Sequence, residues 1–278
     1  MPTEHTSQRL LRSEDVAAAL KLSAQAGWNQ TEEDWQTLLD LAPNSCWGIE
    51  IDGTLAATTT LFCYGRRLGW IGMVLTNQEH RRRGLAKTLL AKVLAQADKL
   101  AVETLKLDAT EQGLPLYEQF GFRAEQEIER WSRPGEASVN DAHPKSEPAR
   151  DKDDDAWRQS DAAAFGADRM RLLETLARRS APISRSQSYL FFRKGRVSTH
   201  LGPCVSETSS TARSLVEEAA QTTCSSWSWD LLPRNVEAVA LARDLGFSPQ
   251  RRLVRMIRGT GLRANDDKIY ATAGFELG

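Results

Sequence analysis

The chain has 278 residues, 41% of them hydrophobic, and 36 basic against 37 acidic side chains leave a formal net charge of −1. That length suits two ordinary domains, each burying its own core, and the near-neutral balance offers no bulk attraction to nucleic acid or an anionic membrane. The four cysteines, Cys46, Cys63, Cys204 and Cys224, form no CxxC pair and the four histidines are scattered, so no metal site is indicated. A polar start and the lack of any apolar run near the roughly 20 residues of a membrane span point to a soluble, reducing, cytoplasmic protein.

Ser13 is placed to cap a helix from about Glu14 to Gln25, with Gly27 as its stop, and Thr31 and Asp34 open a second helix that exits at Pro43. Strands follow at Cys46 to Ile51, Leu55 to Tyr64 and Leu68 to Thr76, joined by turns at Asp52-Gly53 and Gly65-Arg66-Arg67. This meander feeds the run Asn77 to Ala86, in which Arg81, Arg82 and Arg83 precede Gly84 and a helix begins at Leu85. The first N–H groups of a helix lack carbonyl partners and carry the positive end of its dipole, so such a junction suits a phosphate. Three arginines and a glycine equally describe a solvated surface loop. Neither a P-loop nor a GxGxxG fingerprint is present.

Beyond that helix, which runs to about Leu100, come a strand at Thr104 to Ala109, a short helix ending near Phe120, and a closing strand from Phe122 to Trp131. Pro134 to Asp155 is poor in apolar residues and reads as a linker. The pattern then partly repeats, with a helix around Leu172 to Leu176, strands at Tyr189 to Phe192, Val197 to Val205 and Trp227 to Leu231, and helices at Thr211 to Ala220 and from Asn235 to Leu245. Aligning the copies sets Asp230 beside Asp108 and Leu241 to Phe247 beside Leu116 to Phe122. The second copy has Ser206-Glu207-Thr208-Ser209-Ser210 in place of the basic turn, which sets an acid where a phosphate would lie.

Two motifs carry a resemblance. Arg81 to Ala86 is similar to the Arg-x-x-Gly-x-Ala pyrophosphate loop of the GNAT N-acetyltransferases, and Leu116-Tyr117 through Gly121-Phe122 to that family's Leu-Tyr-x-x-x-Gly-Phe helix end. Thr110 and Gly113 depart from it, where the family often has Asn and Ala. The whole chain resembles bacterial tandem-GNAT proteins with an atypical second domain, which implies an α+β fold of two αβα domains, each a mixed, mostly antiparallel twisted sheet flanked by helices. The expected units are an acetyl-CoA-binding domain at 1–133, a charged Pro-containing linker at 134–156 and a degenerate GNAT-like domain at 157–278.

The resemblance further implies that acetyl-CoA is held by Met73, Val74, Leu75 and Thr76 along the strand and by Arg81, Arg82, Arg83, Gly84, Leu85, Ala86 and Lys87 at the turn. Tyr117 is then the acid that protonates the leaving thiolate, although a tyrosine in that position also suits a plain core. No base is identifiable, and Asp108 and Glu50 read more simply as structural or solvent-facing acids. Trp28 and Asn29, in the turn between the first helices, and Asp168, which also suits a helix cap, are candidates for an acceptor pocket. The expected activity is acetyl transfer from acetyl-CoA to a primary amine of a small molecule by direct attack, with no metal, no nucleic acid, no membrane and a possible homodimer. A non-catalytic CoA-binding sensor or interaction protein is the competing reading.

Overall fold

A computed structural model describes residues 4–135, 156–223 and 225–278. The central part of the expected linker and Cys224 lie outside the described residues. The first half begins with β1 (Thr6–Leu10), α1 (Val16–Gln25) and α2 (Glu32–Leu41). Thr31 caps α2 as its pattern suggests: its hydroxyl accepts from Asp34 N at 3.2 Å while the Asp34 carboxylate takes Thr31 N at 2.9 Å. The meander is β2 (Cys46–Ile51), β3 (Thr54–Tyr64) and β4 (Leu68–Thr76), followed by α3 (Leu85–Lys99), β5 (Thr104–Ala109), α4 (Leu114–Glu118) and β6 (Arg123–Arg133). The second half comprises α5 (Ala156–Phe165), α6 (Met170–Arg179), β7 (Ile183–Arg185), β8 (Ser188–Lys194), β9 (Thr199–Val205), α7 (Ser209–Ala220), β10 (Trp227–Leu231), α8 (Val236–Asp244), β11 (Ser248–Gly259) and β12 (Ile269–Ala271).

Among the described residues the strands form one twelve-stranded mixed sheet in the order β1-β2-β3-β4-β5-β11-β6-β10-β9-β8-β7, with β12 on β9. The two halves therefore exchange their closing strands. β11, from the second half, lies antiparallel between β5 and β6, whereas β6, from the first half, lies antiparallel to β10. The strand expected to close the first sheet thus joins the second, and the sheet is continuous through both copies.

Helices cover both faces, so β3 is buried along nearly its whole length. On one face a single apolar core runs through both halves, from Leu22 and Trp35 through Tyr64 and Trp70 to Phe165, Leu172 and Tyr189. The other face has separate cores, one under α3 with Leu90, Val93 and Leu107, and one under α7 and α8 with Leu215, Trp229 and Leu241.

Candidate active site

β4 and β5 run parallel, but their pairing comprises only Gly69 with Leu105 and Trp70 with Lys106. Past that point the strands part, and Met73 and Val74 on one side face Leu107 across a cavity. Its empty space is about 690 Å³, the solvent mouth included. A bulge sits at the start of the split: β4 slips register against β3 between Thr58 and Thr60, Met73 has φ +49°, and Thr58 Oγ1 donates to Met73 O at 2.8 Å. The segment 272–278 lies along the same stretch. Trp70 Nε1 donates to Phe275 O at 2.9 Å, and a Cβ on Gly72 would stand 2.8 Å from Glu276 O, which is why that position takes no side chain.

The strand then delivers the chain to the basic turn. Gly84 caps α3 with φ +80°, a conformation that costs other residues about 1–2 kcal/mol, and a Cβ there would meet nothing within 4 Å. The approach to the first turn of α3 is therefore open. Arg83 pairs with Glu4 at 2.5 Å, while the Arg81 and Arg82 side chains have no partner among the described residues. Lys87 Nζ reaches Gln119 Oε1 at 3.4 Å beside this turn.

Tyr117 projects from α4 into the cavity shared with Met73 and Val74. Burial pushes its phenol up to about 12, so it holds its proton at neutral pH. A Cβ on Gly113 would crowd the Tyr117 ring at 3.0 Å, which gives the departure from alanine a local cause. Trp28 and Gln30 also line the cavity. Asn29 does not: its side chain is committed to the β8–β9 turn, taking Val197 N at 2.8 Å and Ser198 N at 3.0 Å and donating to Ser198 O at 2.9 Å. Asp168 also lies outside the cavity lining, where it accepts from Met170 N at 2.9 Å at the start of α6. Sequence reasoning sets Asn29 near an acceptor as an amide beside Trp28 in the turn between the first two helices, and Asp168 as a residue at the start of a second-half helix that also suits a cap; the Asn29 amide and the Asp168 carboxylate both hold backbone instead.

The charged lining comes mostly from residues that sequence reasoning missed. Asp108 pairs with Arg255 at 2.9 and 3.0 Å, and Arg130 with Asp230 at 2.7 and 2.6 Å. Burial pushes the Asp108 carboxyl up against the opposing pull of Arg255. Glu50 lies elsewhere, on β2, tied to Arg9 and Ser7. Glu276 receives Gln30 Nε2 at 3.0 Å and Arg193 at 3.2 Å, and burial raises its pKa above the ordinary carboxylate value. The repeat alignment offered one signal for the arginines, since Arg130 and Arg255 each stand eight residues beyond the matched Phe122 and Phe247.

The second half shows what the split accommodates. β9 pairs with β10 only from Thr199 to Leu201, and beyond that β12 lies against β9 through Val205 and Cys204 while Thr272 N donates to Asp230 O at 2.9 Å. The chain's own strand thus fills the place that stays open in the first half. The connection to the following helix shrinks from residues 77–84 to residues 206–208, and Lys268 Nζ occupies the Glu207 carboxylate at 2.9 Å. Among the described residues no group of three or more His, Cys, Asp or Glu side chains is placed to hold a metal, and no helix is long and apolar enough to cross a membrane.

Two family models match this chain: the acetyltransferase (GNAT) family over residues 14–122 and an acetyltransferase (GNAT) domain over residues 158–271. The chain is 30% identical over 222 residues to an uncharacterized N-acetyltransferase, YitH, of Bacillus subtilis, covering 76% of each chain. Among solved structures, it resembles a putative acetyltransferase of Pyrococcus horikoshii with a TM-score of 0.83 at 20% identity, over 98% of this chain and 96% of that one. A tandem GNAT protein from the clavulanic acid biosynthesis pathway matches with a TM-score of 0.60 at 16% identity, over 92% and 99%. These structural likenesses are likenesses of fold.

Proposed function

The chain belongs to the GNAT family of N-acetyltransferases, and from that premise we propose that it moves an acetyl group from acetyl-CoA to a primary amine of a small molecule at the split between β4 and β5. The observation that carries this reading is the contrast between the halves: one split stays open beside an intact basic turn, the other is filled by β12 beside a shortened one. An extended arm therefore suits the open split, with Met73, Val74, Leu75 and Thr76 along it. The diphosphate falls to Arg81, Arg82, Arg83, Gly84 and the first residues of α3, Leu85, Ala86 and Lys87.

Acetyl-CoA, when bound, supplies the thioester carbonyl and the departing sulphur. A backbone N–H near Met73 or Val74 stabilises the charge that grows on the carbonyl oxygen, an effect worth about 3 kcal/mol per donor. Tyr117 holds its proton until the sulphur leaves and then donates it, general acid help of roughly 10²–10⁴-fold. Glu276, a buried carboxylate of raised pKa on the same cavity, takes the proton from the incoming ammonium. The second half shapes the acceptor side by lending Arg251, Leu253, Phe275 and Glu276.

Calorimetry with CoA, together with thiol release from acetyl-CoA over a panel of amines, tests the reading. CoA binding by the wild type and its loss in Gly84→Glu are expected; equal affinity in both proteins would remove the turn from the site. Binding without thiol release for any amine would instead favour a CoA sensor.

A further inference from the structure

We propose that the acceptor is a small amine that also carries a carboxylate, an amino acid or a close analogue, with the carboxylate held by the Arg251 guanidinium and the ammonium by Glu276. This inference rests on the acetyl-transfer reading and names the substrate class of that site.

The charges around the cavity leave one remainder. Asp108 is matched by Arg255, Arg130 has both oxygens of Asp230, and Glu276 is bonded to Arg193 and Gln30. Arg251 lines the same cavity and makes no side-chain hydrogen bond or ion pair among the described residues. It is partly buried; burial and the neighbouring charge of Arg130 disfavour its cation, and the pull of Asp230, whose two oxygens are already bonded by Arg130, does not offset them. A guanidinium does not neutralise under these conditions, so a desolvated, unmatched arginine is costly unless a ligand brings the counter-charge.

The other copy supplies a control. Arg251 stands four residues beyond Phe247, and the residue four beyond Phe122 is Gln126, whose amide donates to Asp266 at 2.8 Å. The position is neutral and internally bonded where the cleft is filled, and cationic and unmatched where the cleft is open. The anion it awaits is not a CoA phosphate, because Arg251 lies on β11, beyond β5 from β4, while the phosphate turn leads out of β4 into α3. A carboxylate fits better than a phosphate, since one planar guanidinium presents two parallel donors and a single positive charge. Trp28 and Phe275 add apolar walls for the rest of the molecule.

The test is calorimetry on the CoA-loaded protein with the twenty common amino acids, their decarboxylated amines and aminoalkyl phosphates, followed by thiol release from acetyl-CoA with the same panel. At least one amino acid is expected to bind and to lose at least about 30-fold in affinity without its carboxylate. Arg251→Gln should cause the same loss for the amino acid and little change for the decarboxylated amine, with Arg251→Lys in between and a melting temperature without acceptor no lower than that of the wild type in either variant. Equal affinity with and without the carboxylate, an amino-acid affinity untouched by Arg251→Gln, preference for the phosphate, or no binding by any panel member would each overturn the proposal. Acetylation of decarboxylated amines alone would sink this inference while leaving acetyl transfer intact. Amino-acid binding through Arg251 without thiol release would do the reverse.

Discussion

Tyr117 and Asp34 show how a buried titratable side chain takes its behaviour from its neighbours. The Tyr117 phenol faces the cavity with its pKa pushed up to about 12 by burial, so it is protonated throughout the neutral range. Tyr117→Phe keeps the ring against Phe122 and removes only the proton; kcat should fall by roughly 10²–10⁴-fold with little change in CoA affinity, as steady-state kinetics beside calorimetry will read. For Asp34, burial pushes the carboxyl up, but Arg193, the Thr31 N–H and Arg179 together outweigh it and hold the carboxyl below its ordinary value. A carboxylate depressed by folding stabilises the protein above its unfolded pKa of about 3.9 and loses that contribution as the pH falls through the lower folded value. Melting temperature should therefore drop in acid below about pH 4, and Asp34→Asn should flatten that part of the curve.

At the scale of elements, the informative pair is β6 with β11. Arg130 of the first half pairs with Asp230 of the second, and Arg255 of the second pairs with Asp108 of the first, so each exchanged strand brings an arginine to the other copy's aspartate. Asp108→Ala or Asp230→Ala strands a buried guanidinium and should cost about 3–5 kcal/mol in urea unfolding, whereas replacing both members of a pair by leucine should recover most of it. These pairs also explain what could be read in advance. The meander, α3, β5 and the caps at Thr31 and Asn235 were legible because period, turn residues and capping chemistry agreed, as at Asp52-Gly53, whereas Ser13 caps nothing: it opens a short 3-10 turn, and α1 begins only at Val16 with no side-chain cap. β11 was not, because Arg251, Arg252, Arg255 and Arg258 break the apolar run expected of a central strand. Its arginines are tolerated where partners from other strands meet them, as Asp108 does for Arg255, and no window of local sequence contains those partners. The basic turn and Tyr117 were legible as motifs, while Arg251 and Glu276 reach the cavity only through the exchange and the segment beyond β12.

The whole molecule behaves as one sheet. A fragment of residues 1–135 would leave β5 without β11 and β6 without either neighbour, exposing unpaired edges next to apolar core residues such as Leu105, Leu107 and Ile128. That fragment alone should be unfolded or aggregated by circular dichroism and size exclusion, and supplying residues 156–278 in trans should restore a folded 1:1 complex; a stable monomer of the fragment would contradict the exchange. Urea unfolding of the full chain should show one transition by tryptophan fluorescence and by far-UV circular dichroism, since Trp70 and Trp229 lie in cores joined by the same sheet.

The exchange also sets an order of events during synthesis. β6 ends at Arg133 and β11 begins at Ser248, so at about 5–20 residues per second the first copy leaves the ribosome many seconds, roughly six to twenty-three, before the strand that completes it. Through that interval the nascent chain carries an unfinished sheet, and a ribosome stalled between the two strands holds a template for adhesion to its neighbours. Translation rate across this stretch is therefore a determinant of yield that no measurement on the finished protein would reveal.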